Sequence, residues 1–163
     1  MSVTIVEGSV LDSTAQTLVN TVNCVGIMGK GLALAFKKRY PAMYRDYVNR
    51  CAREEVQLGH PYLYRPLEDL FAKGPNQWIL LFPTKDHWRS KSKISDIKAG
   101  LDYLSAHYAE WGITELAIPP LGCGLGGLDW PEVKPILVES LEKLDIPVTI
   151  YVPARRQTDD GPE

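Results

Sequence analysis

The chain has 163 residues, the size of one ordinary domain, and 45% hydrophobic against 23% charged residues gives a globular composition. A formal charge of −2 excludes a wholesale polycation. No apolar run approaches the roughly 18–20 residues of a membrane span, and Ser2–Glu7 has neither the basic nor the apolar part of a signal peptide. Cys24, Cys51 and Cys123 are an odd number, far apart and without a CxxC pair, which argues against a disulfide framework and a zinc site. The expectation is a cytoplasmic, soluble, monomeric domain over residues 1–153, with a polar tail over 154–163.

In chain order, Val3–Val6 and Thr17–Val22 are expected strands, the second apolar on both faces and therefore central. Gly31–Tyr40 is a helix stopped by Pro41, and Ala42–Arg53 continues helically with Met43, Tyr47 and Cys51 at successive turns. Tyr62–Tyr64 and Trp78–Phe82 are strands. Ile94, Ile97, Leu101, Leu104 and Tyr108 step by three and four, an amphipathic helix closed near Gly112. Glu115–Pro119 is a strand, Val133 to Leu144 marks a helix capped at Asp129, and Val148–Val152 is the last strand. Alternating strands and helices predict an α/β domain, a three-layer α/β/α sandwich with a mixed, largely parallel central sheet. Ligands of such sheets sit beyond the C-terminal strand ends.

Charge is unevenly spread. Lys30 to Lys98 holds 14 basic and 7 acidic residues, and the rest of the chain 4 basic and 13 acidic. The centre is thus a candidate anion-facing region, unless its lysines are merely the wet side of a helix.

Two glycine-rich loops follow expected strands. Asn23-Cys24-Val25-Gly26-Ile27-Met28-Gly29-Lys30-Gly31 runs into one helix, and Leu121-Gly122-Cys123-Gly124-Leu125-Gly126-Gly127 precedes another. Glycines let backbone N–H groups converge on an anion, and a helix N-terminus adds partial positive charge. Two such loops suit a ligand with more than one phosphate; the competing reading is two tight turns that need positive φ. Gly122, Gly124 and Gly127 match G-x-G-x-x-G, but no acidic residue closes a following strand about 20 residues on, which argues against an NAD oxidoreductase. Gly26–Gly31 lacks the spacing and the Ser/Thr of a P-loop.

The run from Leu18 to Ala33, with Phe36-Lys37, Tyr40-Pro41 and Ile118–Gly126, resembles the ADP-ribose-binding macrodomains over nearly the whole chain. Phe82-Pro83-Thr84-Lys85-Asp86-His87-Trp88-Arg89 resembles more narrowly the DarG antitoxin family, whose macrodomains remove ADP-ribose from thymine bases of single-stranded DNA. Related to these are the ALC-type macrodomains, which strip ADP-ribose from acidic protein side chains. For ADP-ribose the resemblance implies Ser9 and Val10 after the first strand, and Asn20 and Asn23 around the distal ribose. It adds Val25, Met28, Gly29, Lys30 and Gly31 in the first loop, Thr84 just before Lys85, and Leu121, Gly122, Cys123, Gly124, Leu125 and Gly126 in the second. Lys85 matches the essential lysine of both groups and, with Asn23, is the implied catalytic pair. Two positions depart from the pattern. Ser9 stands where many macrodomains place an Asp for the adenine amine, and Gly126 stands where the ALC-type hydrolases carry an acid.

Cleaving an N-glycosidic bond builds positive charge on the anomeric carbon and negative charge on the departing base. A lysine can donate to that base or, with a lowered pKa, attack carbon. The ligand's pyrophosphate and the missing acid at Gly126 favour the first role, with water as nucleophile. His60, His87 and His107 lack ligand spacing, so neither a metal nor another cofactor is expected. His87, Trp88, Arg89, Lys91 and Lys93 interleave aromatic and basic groups as a single-strand DNA contact would; alternatively Trp88 packs in the core. The expected partners are ADP-ribosylated single-stranded DNA, ADP-ribose and a cognate DNA ADP-ribosyltransferase toxin. The alternatives are a hydrolase of acidic-side-chain or small ADP-ribose derivatives, and a non-catalytic reader.

Overall fold

A computed structural model describes residues 2–66 and 76–154; the expected tail beyond Ala154 lies outside them. Six strands form one sheet: β1 (Ser2–Glu7), β2 (Thr17–Val22), β3 (Tyr62–Tyr64), β4 (Trp78–Pro83), β5 (Leu116–Ile118) and β6 (Pro147–Val152). Their order is β1-β6-β5-β2-β4-β3, with β3 antiparallel to β4 and all other pairs parallel. The expected mixed, largely parallel sheet is therefore the observed one. β2 lies inside the sheet between β5 and β4, which is why both its faces are apolar.

Alternation along β2 and β4 divides the core. Val19, Leu80 and Phe82 pack with Ile97, Leu101 and Leu104 of α3 (Ile94–Trp111) and with Leu137 and Leu141 of α4 (Trp130–Glu142). Leu18, Ile79 and Leu81 face the other way, against Phe36 of α1 (Gly31–Arg39) and Met43 and Tyr47 of α2 (Pro41–Ala52). The helix α3 approaches β4 closely because Gly100 has no side chain: a Cβ there would lie 2.4 Å from Cζ of Phe82. No described helix is long and apolar enough to cross a membrane.

Most boundaries agree with the sequence reading to within a residue or two. Gly112 ends α3 in the left-handed region at φ 84°. Asp129 does stand at the N-terminus of α4, but its side chain makes no capping bond. Pro131 removes one N–H that a cap would accept, and the N–H of Glu132 donates to the backbone oxygen of Asp129 at 3.0 Å instead. The strand β5 is shorter than expected, because Pro119 has no N–H with which to continue the ladder.

Candidate active site

The C-terminal ends of β2 and β4 and the loop after β5 enclose a cleft of about 280 Å³. Its lining includes Asn23, Ile27, Gly29 and Lys30 from the first loop, Thr84, Lys85 and Trp88 after β4, and Leu125 and Gly126 from the second loop. Lys30 and Lys85 line it, and no Asp or Glu among the described residues does, so its local charge favours an anion. A larger hollow of about 650 Å³ lies beside β3, but its walls carry the carboxylates of Glu54, Glu55 and Glu110. Those charges oppose a polyphosphate ligand.

The backbone holds Lys85 from both sides. The N–H of Thr84 donates to the Val22 oxygen at 3.0 Å, and the N–H of Cys24 donates to the Asp86 oxygen at 2.9 Å. The β2–β4 ladder thus runs past its last regular pair, and Lys85 is fixed between two rungs where the first loop departs.

Asn23 organises that loop. Its Oδ1 accepts from the N–H groups of Val25 at 3.1 Å and Ile27 at 3.4 Å, and its Nδ2 donates to the Ile27 oxygen at 2.8 Å. The hydroxyl of Tyr47, fully buried in α2, is shared between the Asn23 backbone oxygen at 2.8 Å and Oδ1 at 2.7 Å. Burial pushes the Tyr47 hydroxyl well above the usual phenol range, so it stays a donor. The oxygen of Asn23 is therefore committed to the loop, and the chemistry open to this residue is through its amide nitrogen.

Of the seven glycines in the two loops, Gly26, Gly31, Gly122, Gly124 and Gly127 have positive φ, as tight turns require. Gly29 and Gly126 do not, and these are the two that line the cleft. A Cβ on Gly29 would make only an ordinary 3.5 Å contact with Ile27. Neither backbone conformation nor protein packing demands a glycine there, whereas a ligand lying against the backbone would.

The remaining expected residues fall into four groups. Asn20, Met28, Val10 and Leu121 are buried and do not line the cleft; Asn20 gives Nδ2 to the Met28 sulfur at 3.8 Å and leaves Oδ1 without a partner among the described residues. Ser9 sits after the outermost strand, where its hydroxyl caps the following turn by accepting from the Leu11 N–H at 3.2 Å. Val25, Gly31, Gly122, Cys123 and Gly124 belong to the two loops without lining the cleft itself. His87, Trp88, Arg89, Lys91 and Lys93 are exposed. Trp88 is 40% exposed at the cleft wall with the Arg89 guanidinium 4.5 Å above its ring, so it is not a core residue.

Burial, reinforced by Asp86, pushes the Cys24 thiol up to about 12. It is a neutral packing group at neutral pH, not a nucleophile. Sequence reasoning missed the supporting role of Tyr47, which was legible only as a core position beside Met43 and Cys51.

The Macro domain family model matches residues 19–137. A DNA ADP-ribosyl transferase–DNA ADP-ribosyl glycohydrolase fusion protein of Thermosipho africanus is 41% identical over 170 aligned residues, covering 98% of this chain and 44% of that protein. A DNA ADP-ribosyl glycohydrolase of Mycobacterium tuberculosis is 45% identical over 148 residues, 90% of this chain and 41% of that protein. Among solved structures, the macrodomain of Mycobacterium tuberculosis DarG superposes with a TM-score of 0.85 at 44% identity, covering 93% of this chain and 98% of that one. Thermosipho africanus DarTG in complex with ADP-ribose gives 0.87 at 44% identity, over 97% of this chain and 43% of that one. The chain thus spans about two-fifths of the length of the curated relatives it matches.

Proposed function

The chain belongs to the macro domain family, within its DarG branch, and on that footing we propose that it is a DNA ADP-ribosyl glycohydrolase acting as antitoxin to a DNA ADP-ribosyltransferase. Its substrate on this reading is ADP-ribose joined to a thymine base of single-stranded DNA. The observation that carries the reading is Lys85, fixed between two backbone rungs at the wall of a cleft that two glycine-bearing loops also line. The Thermosipho relative, solved with ADP-ribose, supports the ligand; the fusion of a transferase with a glycohydrolase in that organism supports the toxin partner.

Hydrolysis breaks the bond from the anomeric carbon to the base nitrogen, and the electron pair leaves with the base. In this reading the ammonium of Lys85, a residue of the cleft wall, gives a proton to that nitrogen, while water adds its oxygen to carbon and returns a proton to the amine. Asn23 places the first loop, with Gly29 at the ligand's flank and Lys30 beside it. Among the described residues no carboxylate lines the cleft, and in this reading charge stabilisation at the departing base is the larger protein contribution. Trp88, with Arg89, Lys91 and Lys93 beyond it, offers the strand an aromatic surface bordered by cations.

The test is side-by-side incubation with an ADP-ribosylated single-stranded oligonucleotide and an ADP-ribosylated glutamate peptide. Release of ADP-ribose from the DNA at a far higher rate is expected. Preferential release from the peptide would move the chain to protein substrates, and no release from either would leave a reader.

A further inference from the structure

Gly126 is a glycine that its own backbone does not require, since its φ lies outside the left-handed region. What stands in its side-chain space is Ser92, from the segment between β4 and α3. A Cβ on Gly126 would lie 2.5 Å from Oγ and 3.1 Å from Cβ of Ser92. The N–H of Ser92 donates to the Gly126 oxygen at 2.9 Å, and its Cβ also lies 3.2 Å from where a Cβ on Gly122 would be. Ser92 is 5% exposed, and its hydroxyl has no hydrogen-bond partner among the described residues. Beside it, the Lys91 stem lies over Gly127, 3.0 Å from the corresponding Cβ position. Two consecutive residues therefore straddle the second glycine loop.

We propose that Ser92 is a positioning residue: wedged behind Gly126, it sets the second glycine loop against the segment that carries Lys85. A buried hydroxyl left without a partner has a desolvation cost, so packing, not hydrogen bonding of the side chain, is what this serine contributes. The wedge also fixes which residues the loop accepts. Rotation of the Ser92 hydroxyl can relieve the contact with Oγ, but a Cβ at 126 still meets Ser92 Cβ at 3.1 Å, and on this proposal the loop gives way and the cleft widens. Glycine at 126 and a small residue at 92 are thus one coupled choice. This inference rests on the ADP-ribose reading of the cleft.

The experiment is a double-mutant cycle read as ADP-ribose affinity by calorimetry, with thermal unfolding to confirm folding and with KM and kcat on modified oligonucleotide. Gly126→Ala is expected to weaken ADP-ribose binding at least tenfold, and Ser92→Gly by less than about threefold. Combining them should restore affinity to within about threefold of Ser92→Gly, because the space has been vacated. Ser92→Thr, at a position that does not itself line the cleft, should weaken ADP-ribose binding and raise KM more than it lowers kcat. An equal loss from Gly126→Ala in both backgrounds, or no loss at all, overturns the proposal, since position 126 would then act on the ligand directly or not at all. Should Gly126→Ala not fold, unchanged affinity in folded Ser92→Thr overturns it equally. Wild-type protein that binds no ADP-ribose would overturn the functional reading instead.

Discussion

The hydroxyl of Tyr47 reaches Oδ1 of Asn23 at 2.7 Å across the interface between α2 and the first glycine loop. A buried donor on a rigid helix thereby holds the amide that two loop N–H groups also use. Tyr47→Phe keeps the ring and removes the donor. The expected cost is about 1–3 kcal/mol of stability, the penalty for an under-satisfied buried acceptor, measured by urea unfolding. ADP-ribose affinity should fall with it, because the loop loses its anchor. Unchanged stability and affinity would mean that the two backbone donors suffice.

Gly29 and Gly124 separate two reasons for being glycine. Gly29→Val is expected to fold with near wild-type stability, since its backbone tolerates a side chain, and to lose ADP-ribose binding by at least tenfold in calorimetry. Gly124→Val is expected to lower thermal stability first, because φ at Gly124 is +72°. If Gly29→Val binds normally, the ligand does not lie against the first loop.

The wall at Trp88 reports on the DNA. Trp88→Ala should weaken binding of modified oligonucleotide by roughly 1–3 kcal/mol if a base stacks there, and leave free ADP-ribose unaffected. Three phosphate contacts, from Arg89, Lys91 and Lys93, give a log–log salt slope near −2 at about −0.7 per contact on single strands. Equal losses on both ligands would assign Trp88 to the ADP-ribose site itself. A salt-independent affinity would remove the basic segment from the DNA.

How much of this was legible in the sequence depends on distance along the chain. The strand at Thr17–Val22 and the glycine loop after it follow from local pattern, as do Tyr62–Tyr64 and the stop at Gly112. The two loops were visible as a pair, but not the division of their glycines into turn formers and cleft liners, which depends on φ and on neighbours. Asp129 reads as a cap by residue type, and Pro131 two positions on removes the donor it would use. Tyr47 and Ser92 act across 24 and 34 positions, on Asn23 and Gly126 respectively. Neither distance carries a periodic signal. Lys85 became a candidate through the family resemblance, and the two rungs that fix it are a property of the folded sheet.

The central claim is that Lys85 acts on the departing base and not on the ADP-ribose that stays behind. Lys85→Ala should therefore keep ADP-ribose affinity within about tenfold, or 1.4 kcal/mol. The decisive measurement is the single-turnover rate at which Lys85→Ala protein, at saturating concentration, releases ADP-ribose from a modified single-stranded oligonucleotide. A fall of about 10²–10⁴-fold is expected for loss of a positioned proton donor. A rate within a few-fold of wild type would contradict that role and leave the cleft's chemistry to other groups.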